Sequence, residues 1–194
     1  MTWIETTLVD VFKQLRIGAT TVAATAAGLF TMATGRGDRA PVTLEPGDAA
    51  PGFTLMGSDG QTHRLADSHG REAVVVAWFP KAFTGGCTKE CESIGRSRRQ
   101  LDCFAAQVFG ASADRPETNK RFAASMGVGF PILSDPGGAV ARAYGVLGSS
   151  GFPRRWTFYI GADGRILDID KRVETASHGD TIAARLEQLG VSRR

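Results

Sequence analysis

One short segment constrains this chain more than any other: an apolar run, a loop, and then a cysteine at the start of a helical pattern. Residues 72–79 are almost entirely apolar and predict a buried strand. The chain then passes through Pro80 into a loop that contains Gly85 and reaches Cys87. Residues 88–94 resume at helical spacing. The pattern therefore predicts that Cys87 lies in the first turn of a helix that follows a central strand.

A cysteine in this position is favoured as a thiolate. Unpaired backbone N–H groups and the positive end of the helix dipole stabilise the anion. An ordinary cysteine, with a pKa of about 8.5, is only about 3% thiolate at neutral pH. A helix terminus contributes only about 0.3 to 1 kcal/mol, so a cation must also be close to the sulfur. Arg154 and Arg155, far downstream, are the candidates.

Composition excludes several classes of protein. The 194 residues form one ordinary domain with room for an appendage, and the 42% hydrophobic and 22% charged shares are typical of a globular protein. A net charge of +3, with basic residues scattered among acids, argues against a nucleic-acid surface. Three cysteines are too few for a disulfide framework, and the three histidines have no zinc-finger spacing. No phosphate-binding loop is visible, so we expect neither a metal nor a cofactor.

The first 41 residues differ from the rest of the chain. Residues 17–34 carry no charge and, as a helix, would extend about 27 Å, which only just reaches membrane thickness. Before them, one helical face collects Ile4, Leu8, Phe12 and Leu15. We expect residues 1–41 to be a helical, apolar segment with a linker. Residues 4–34 could associate with a membrane, form a soluble helix, or be a cleaved signal, so localisation stays open between cytoplasm and membrane.

Strands and helices alternate from residue 42 onward. A hairpin around Asp59-Gly60 comes first, and a hairpin follows near the end. The remaining predicted elements are a strand at 107–112, a helix from Pro116 to Gly127, a strand at 130–133, a short helix at 139–144, strands at 156–160 and 165–169, and a last helix capped by Asp180 and ended by Gly190. This order predicts an α/β fold, a three-layer sandwich with a mixed central sheet and an N-terminal β-hairpin extension.

Several motifs between residues 43 and 189 occur together in one known family. They include Pro80-x-x-x-Thr84-x-x-Cys87 with Thr-Lys-Glu after it, Ser112-x-Asp114-x-Pro116, Arg155-x-Thr157-Phe158 and His178-Gly179. On these residues the chain resembles the peroxiredoxins, most closely the bacterioferritin comigratory protein type. The resemblance implies a thioredoxin-like fold for residues 42–194 and a thiol peroxidase activity. It also implies a thioredoxin or glutaredoxin-like reductant and a monomer or small dimer.

The resemblance assigns a role to each residue of the first motif. Cys87 is the peroxidatic nucleophile, whose thiolate attacks a peroxide oxygen and becomes a sulfenic acid. Thr84 holds the thiolate and the peroxide through its hydroxyl, and Pro80 shields the sulfur from water. Arg155 stabilises the thiolate and the charge on the leaving oxygen. Glu90 orients Arg155 through a charge-assisted hydrogen bond.

The sequence offers more than one thiol that could form a disulfide with Cys87. The nearest family pattern has a resolving cysteine five residues after the nucleophile, whereas Cys91 lies four residues after it. Residues four apart on an intact helix have Cβ atoms about 5 to 6 Å apart, and a disulfide needs about 3.5 to 4.5 Å. A Cys87–Cys91 bond therefore requires the first turn to unwind. Cys103, expected near the end of the same helix, and an external thiol are the alternatives.

Other interpretations of the same residues remain. The spacing of Cys87 and Cys91 also matches Sco-type copper chaperones, although the expected histidine is absent and His178 would have to replace it. A plain thiol-disulfide oxidoreductase is a further alternative, without the Cys-x-x-Cys motif of thioredoxins. Taken singly, Arg155 could be a solvated arginine, Glu90 a helix-surface acid, and His178 a turn or cap residue.

Overall fold

The computed structural model describes residues 42–194. The expected N-terminal segment, with its candidate membrane-associated residues 4–34, lies outside the described residues. Among the helices that the structure does describe, none has the length and apolar character needed to cross a membrane.

Seven strands form one sheet, and short and long helices connect them. The strands are β1 (Thr54–Gly57), β2 (Thr62–Arg64), β3 (Ala73–Trp78), β4 (Ala106–Ser112), β5 (Ile132–Ser134), β6 (Thr157–Ile160) and β7 (Ile166–Asp170). The helices are α1 (Gly85–Arg96), α2 (Arg98–Leu101), α3 (Pro116–Met126), α4 (Ala139–Ala143) and α5 (His178–Gln188), with a 3₁₀ turn at Leu65–Ser68.

The sheet is mixed, as the sequence predicts. Its strand order is β2-β1-β5-β4-β3-β6-β7. The three central strands, β5, β4 and β3, run parallel, and every other neighbouring pair is antiparallel. The α/β fold class is therefore confirmed. The N-terminal hairpin β1-β2 extends this sheet, because β1 pairs with β5.

The central strand β3 is buried on both faces, because each face packs against its own apolar cluster. Val75 and Ala77 belong to the cluster under α1, α2, α3 and α5. Val74 and Val76 belong to the cluster on the opposite face, which α4 covers. Alternate residues of a strand point to opposite faces, so a continuous apolar run is what a three-layer arrangement needs.

Local signals set the ends of α3 correctly. Pro116 is its first residue, and Gly127 ends it with a left-handed φ of 62°. Two other expectations about helix ends are wrong. The helix that carries Cys87 ends at Arg96, so Cys103 follows the separate helix α2. Asp180 is not the cap of α5, because Ser177 precedes the helix and Asp180 lies in its first turn.

Candidate active site

The loop between β3 and α1 positions Cys87 at the carboxyl end of the sheet. Thr84 is the residue before α1, and Cys87 is the third residue of the helix, with 1% of its surface exposed. Asp114, which follows β4, holds the loop from the side, since its Oδ2 accepts a hydrogen bond of 2.8 Å from Ala82 N. Phe83 has a φ of 61°, which is rare for a residue with a side chain. The loop is therefore held in one specific conformation beside the cysteine.

Arg155 reaches the cysteine from a distant part of the chain. It precedes β6, which pairs antiparallel with β3, with Thr157 opposite Ala77. The start of β6 therefore meets the end of β3, where α1 begins. The Arg155 guanidinium donates a hydrogen bond from Nη2 to Cys87 Sγ at 3.3 Å. This contact supplies the cation that a thiolate at this helix terminus requires.

The same guanidinium is held by a buried carboxylate. Arg155 Nη1 donates to Glu90 Oε2, and the Glu90 side chain is fully buried on α1. Arg155 itself is 23% exposed. Since a buried carboxylate without a partner is strongly unfavourable, this pairing fixes both side chains. The structure thus brings together Cys87, Glu90 and Arg155, three of the residues that the sequence singles out.

His178 lies on the far side of Glu90. It is the first residue of α5 and fully buried, with Nδ1 at 3.0 Å from Glu90 Oε1, although the angles are not those of a hydrogen bond. Its Nε2 lies 2.9 Å from Thr157 Oγ1. Burial lowers the pKa of His178 to about 4, and the positive charge of Arg155 acts in the same direction, while Asp170 opposes it. The imidazole is therefore neutral at physiological pH.

Thr84 makes a different contact from the one expected, and Pro80 lines a cavity. The Thr84 hydroxyl donates its hydrogen bond to Lys81 O at 2.9 Å rather than to the cysteine sulfur. Pro80 forms part of the wall of a cavity of about 350 Å³, together with Leu147 and Phe152. Neither residue is hydrogen-bonded to Cys87 in this structure.

The three cysteines are all free and lie in different surroundings. Cys91 is one turn beyond Cys87 on α1 and only 1% exposed. Burial raises the pKa of the Cys91 thiol, and the negative charge of Cys87 adds to this effect. Cys103 is exposed, and its sulfur contacts Arg99 O at 3.4 Å. Within the intact helix, Cys91 is a neutral thiol and not a nucleophile.

Sequence reasoning missed two residues of the site. The sequence contains Asp114 only as part of the Ser112-x-Asp114 motif. This motif does not predict that the Asp114 carboxylate accepts a hydrogen bond from Ala82 N in the loop before α1. The contact of His178 with Glu90 arises from the docking of α5 on α1, and no local pattern predicts it.

Comparison with known proteins identifies relatives across most of the chain. The model of the AhpC/TSA family matches residues 46–169. The peroxiredoxin Bcp of Escherichia coli is 34% identical over 146 residues, which are 72% of this chain and 93% of that protein. The alkyl hydroperoxide reductase E of Mycobacterium bovis is 35% identical over 126 residues, which are 63% of this chain and 82% of that protein.

Solved structures show the same similarity. The peroxidoxin BcpB of Mycobacterium tuberculosis superposes with a TM-score of 0.69 at 30% identity, covering 75% of this chain and 98% of that one. The peroxiredoxin Q of Xanthomonas campestris gives a TM-score of 0.65 at 28% identity, covering 70% of this chain and 90% of that one.

Proposed function

Since the chain belongs to the AhpC/TSA family and is a thiol-dependent peroxidase of the peroxiredoxin type, we propose that Cys87 is the residue that attacks the peroxide. The observation that supports this assignment is the 3.3 Å hydrogen bond from Arg155 Nη2 to Cys87 Sγ. A buried sulfur that accepts a hydrogen bond from a guanidinium, in the first turn of a helix, is in the environment of a reactive thiolate. The copper-chaperone and oxidoreductase alternatives are not favoured, because the relatives are peroxiredoxins.

The proposed reaction begins with attack of the Cys87 thiolate on one oxygen of a hydroperoxide. A sulfur–oxygen bond forms as the oxygen–oxygen bond breaks, and the electron pair leaves with the departing oxygen. That oxygen takes up a proton and is released as water or an alcohol. The sulfur is oxidised to a sulfenic acid, and the peroxide is reduced. The cation of Arg155 stabilises both the initial thiolate and the charge that develops on the leaving oxygen.

Thr84, Pro80 and Glu90 have supporting roles in this proposal. The Thr84 hydroxyl proton is used by Lys81 O, so its oxygen remains free to accept a hydrogen bond from the hydroperoxide. Pro80 has no N–H group that could bind a water molecule, and its ring is expected to shield the sulfur from water. Glu90 holds the Arg155 guanidinium in place, as their contact indicates.

A second thiol completes the cycle, as the family requires a thiol reductant. We propose Cys91 as the resolving residue. Because burial raises the pKa of Cys91, this thiol gains nucleophilic character only when α1 unwinds and water reaches it. The Cys87–Cys91 disulfide would then be reduced by thioredoxin or a glutaredoxin-like dithiol. Cys103, which is exposed and lies beyond α2, is the weaker candidate, and an external thiol is the remaining one. We expect a monomer or a small dimer.

Peroxide consumption by single variants tests the assignment. Removing the Arg155 donor in Arg155→Met should slow peroxide reduction about a hundredfold, the usual loss when one such donor is deleted. Arg154→Met is the matched control, because Arg154 is exposed and stacks on Trp156 instead of contacting the cysteine. Cys87→Ser should remove the activity. Equal rates for the two arginine variants would overturn the proposed role of Arg155, and an active Cys87→Ser would overturn the nucleophile.

A further inference from the structure

The network around Cys87 ends in a residue that the proposed reaction does not use. Glu90 Oε2 accepts from Arg155, and His178 Nδ1 lies 3.0 Å from Glu90 Oε1. In the described part of the chain, no group has hydrogen-bond geometry to this oxygen. A buried acceptor left without any polar neighbour is unfavourable, because it has lost its hydrogen bonds to water. His178 is therefore the group that accommodates the second oxygen of Glu90.

The other nitrogen of His178 determines which ring atom carries the proton. Nε2 lies 2.9 Å from Thr157 Oγ1. A carboxylate can only accept hydrogen bonds, whereas a hydroxyl can donate or accept. A neutral imidazole suits both neighbours when Nδ1–H lies on the side of Glu90 and Nε2 accepts from Thr157, although the 3.0 Å approach to Glu90 is a polar contact and not an aligned hydrogen bond. This tautomer places a donor against the carboxylate without placing a second cation there.

The absence of charge on the imidazole matters for Arg155. Glu90 carries one negative charge, and Arg155 is its cationic partner. An imidazolium on the opposite oxygen would compete for that charge and would repel the guanidinium through the low-dielectric interior. A neutral donor beside Glu90 restricts the orientation of the carboxylate without weakening its ion pair with Arg155.

Hydrogen bonds and a close backbone approach hold the first turn of α5 against α1. Gly179 N donates to Ser93 Oγ at 3.1 Å, and Asp180 Oδ1 accepts from Ser97 Oγ at 2.6 Å. The three successive residues 178–180 thus contact Glu90 and Ser93 of α1 and Ser97, the residue that follows α1, at spacings of three and four, which lie on one face of a helix. An added Cβ at position 179 would lie 2.4 Å from Ser93 O, so this close approach requires glycine.

We propose that His178 is a positioning residue for the peroxidase reaction: through Glu90 it holds the Arg155 guanidinium against the Cys87 sulfur. This inference rests on the proposed roles of Cys87 and Arg155. The packing of α5 on α1 would then contribute to the reaction as well as to stability. His178 of α5 contacts Glu90, Glu90 binds Arg155, and Arg155 donates to the sulfur of Cys87.

The test uses the full chain with Cys91 and Cys103 replaced by serine, so that Cys87 is the only thiol. The ultraviolet absorbance of the thiolate is titrated, and the rate of sulfenic acid formation with hydrogen peroxide is measured. In His178→Leu the midpoint of the thiolate titration should rise by about one pH unit, which lowers the thiolate fraction and the rate at neutral pH up to about tenfold. Ser97→Ala is the matched control, because it weakens the docking of α5 but leaves His178 beside Glu90.

Two amide variants keep the test decisive if the leucine variant does not fold. The side-chain nitrogen of asparagine can occupy the position of Nδ1, whereas that of glutamine reaches the position of Nε2. His178→Asn should therefore retain the wild-type midpoint and rate, and His178→Gln should lose them. Equal values for the asparagine and glutamine variants would overturn the proposal.

Arg155→Met in the same background separates failure of this inference from failure of the proposed function. If Arg155→Met shifts the titration and slows oxidation while all His178 variants resemble wild type, the positioning role is wrong and the proposed function stands. If Arg155→Met also changes nothing, the proposed site itself is wrong.

Discussion

Acidification should lower the free energy of unfolding by an amount that can be worked out for one residue, His178. The pKa of His178 is about 4 in the folded protein, against an ordinary value of 6.5. Between these values the unfolded chain binds a proton that the folded chain does not, so stability is lost as the pH falls from 6.5 toward 4. At about 1.4 kcal/mol for each pH unit, the whole difference is about 3 kcal/mol. About 2 kcal/mol of it should be lost between neutral pH and pH 5.

The surroundings of His178 explain why its pKa is lowered and not raised. Burial inside the protein disfavours the imidazolium most, and Arg155 adds repulsion from the start of β6. Asp170, at the end of β7, acts in the opposite direction but does not outweigh them. Glu90 on α1 faces the ring at 3.0 Å, but its negative charge is already paired with Arg155. The folded state therefore resists protonation of this ring.

Urea unfolding near pH 7 and near pH 5 measures the effect. Wild type should lose about 2 kcal/mol more than His178→Asn over this interval, because the variant has no imidazole to protonate. His69→Asn is the matched control, since it removes an exposed imidazole outside the network and should behave as wild type. If His178→Asn loses as much stability as wild type, the ring is not held neutral by its surroundings and the reasoning fails.

Two further changes test the loop and the helix. In Gly86→Ala the added Cβ would lie 3.3 Å from Arg155 Nη2, whereas Gly85→Ala meets nothing within 4 Å. The first should slow peroxide reduction about tenfold by displacing the guanidinium, and the second should not; equal steady-state rates would contradict this. Cys91→Ser should prevent the intramolecular disulfide that peptide mapping detects after one equivalent of peroxide, whereas Cys103→Ser should not. Finding Cys87 linked to Cys103 in wild type would assign resolution to the other thiol.

The parts of the fold that could be predicted from sequence are those with local causes. The continuous apolar run of β3 indicated a strand covered on both faces, and Pro116 and Gly127 marked the two ends of α3. The end of α1 could not be placed in this way. The chain leaves the helix at Ser97, where the hydroxyl bonds to Asp180 of α5, and this partner is brought there only by tertiary packing.

The residues of the candidate site also fall into two groups, those that a local sequence pattern predicts and those whose contacts depend on tertiary packing. The proline-to-cysteine motif and the arginine before β6 predict Cys87 and Arg155 as site residues, because the residue types and their spacing are specific, and the two side chains are in contact in the structure. The direction of the Thr84 hydroxyl depends on one loop carbonyl, and the contact of His178 with Glu90 depends on how α5 docks on α1. Neither depends on spacing along the chain, so sequence patterns contain no signal for them.

If Cys87 and Cys91 have the proposed roles, the position of Glu90 on α1 links the attack on the peroxide to disulfide formation. Glu90 lies between Cys87 and Cys91 on one continuous helix, and its carboxylate contacts both Arg155 and His178. Unwinding that joins the two sulfurs must also withdraw Glu90 from these partners, so the disulfide form cannot retain the active arrangement. Oxidation itself would weaken the arrangement first, because a neutral sulfenic acid lacks the negative charge that attracts the Arg155 guanidinium to a thiolate. In the proposed cycle, attack on the peroxide would therefore favour the unwinding that exposes Cys91, whereas the reduced helix keeps the contacts of Glu90 with Arg155 and His178.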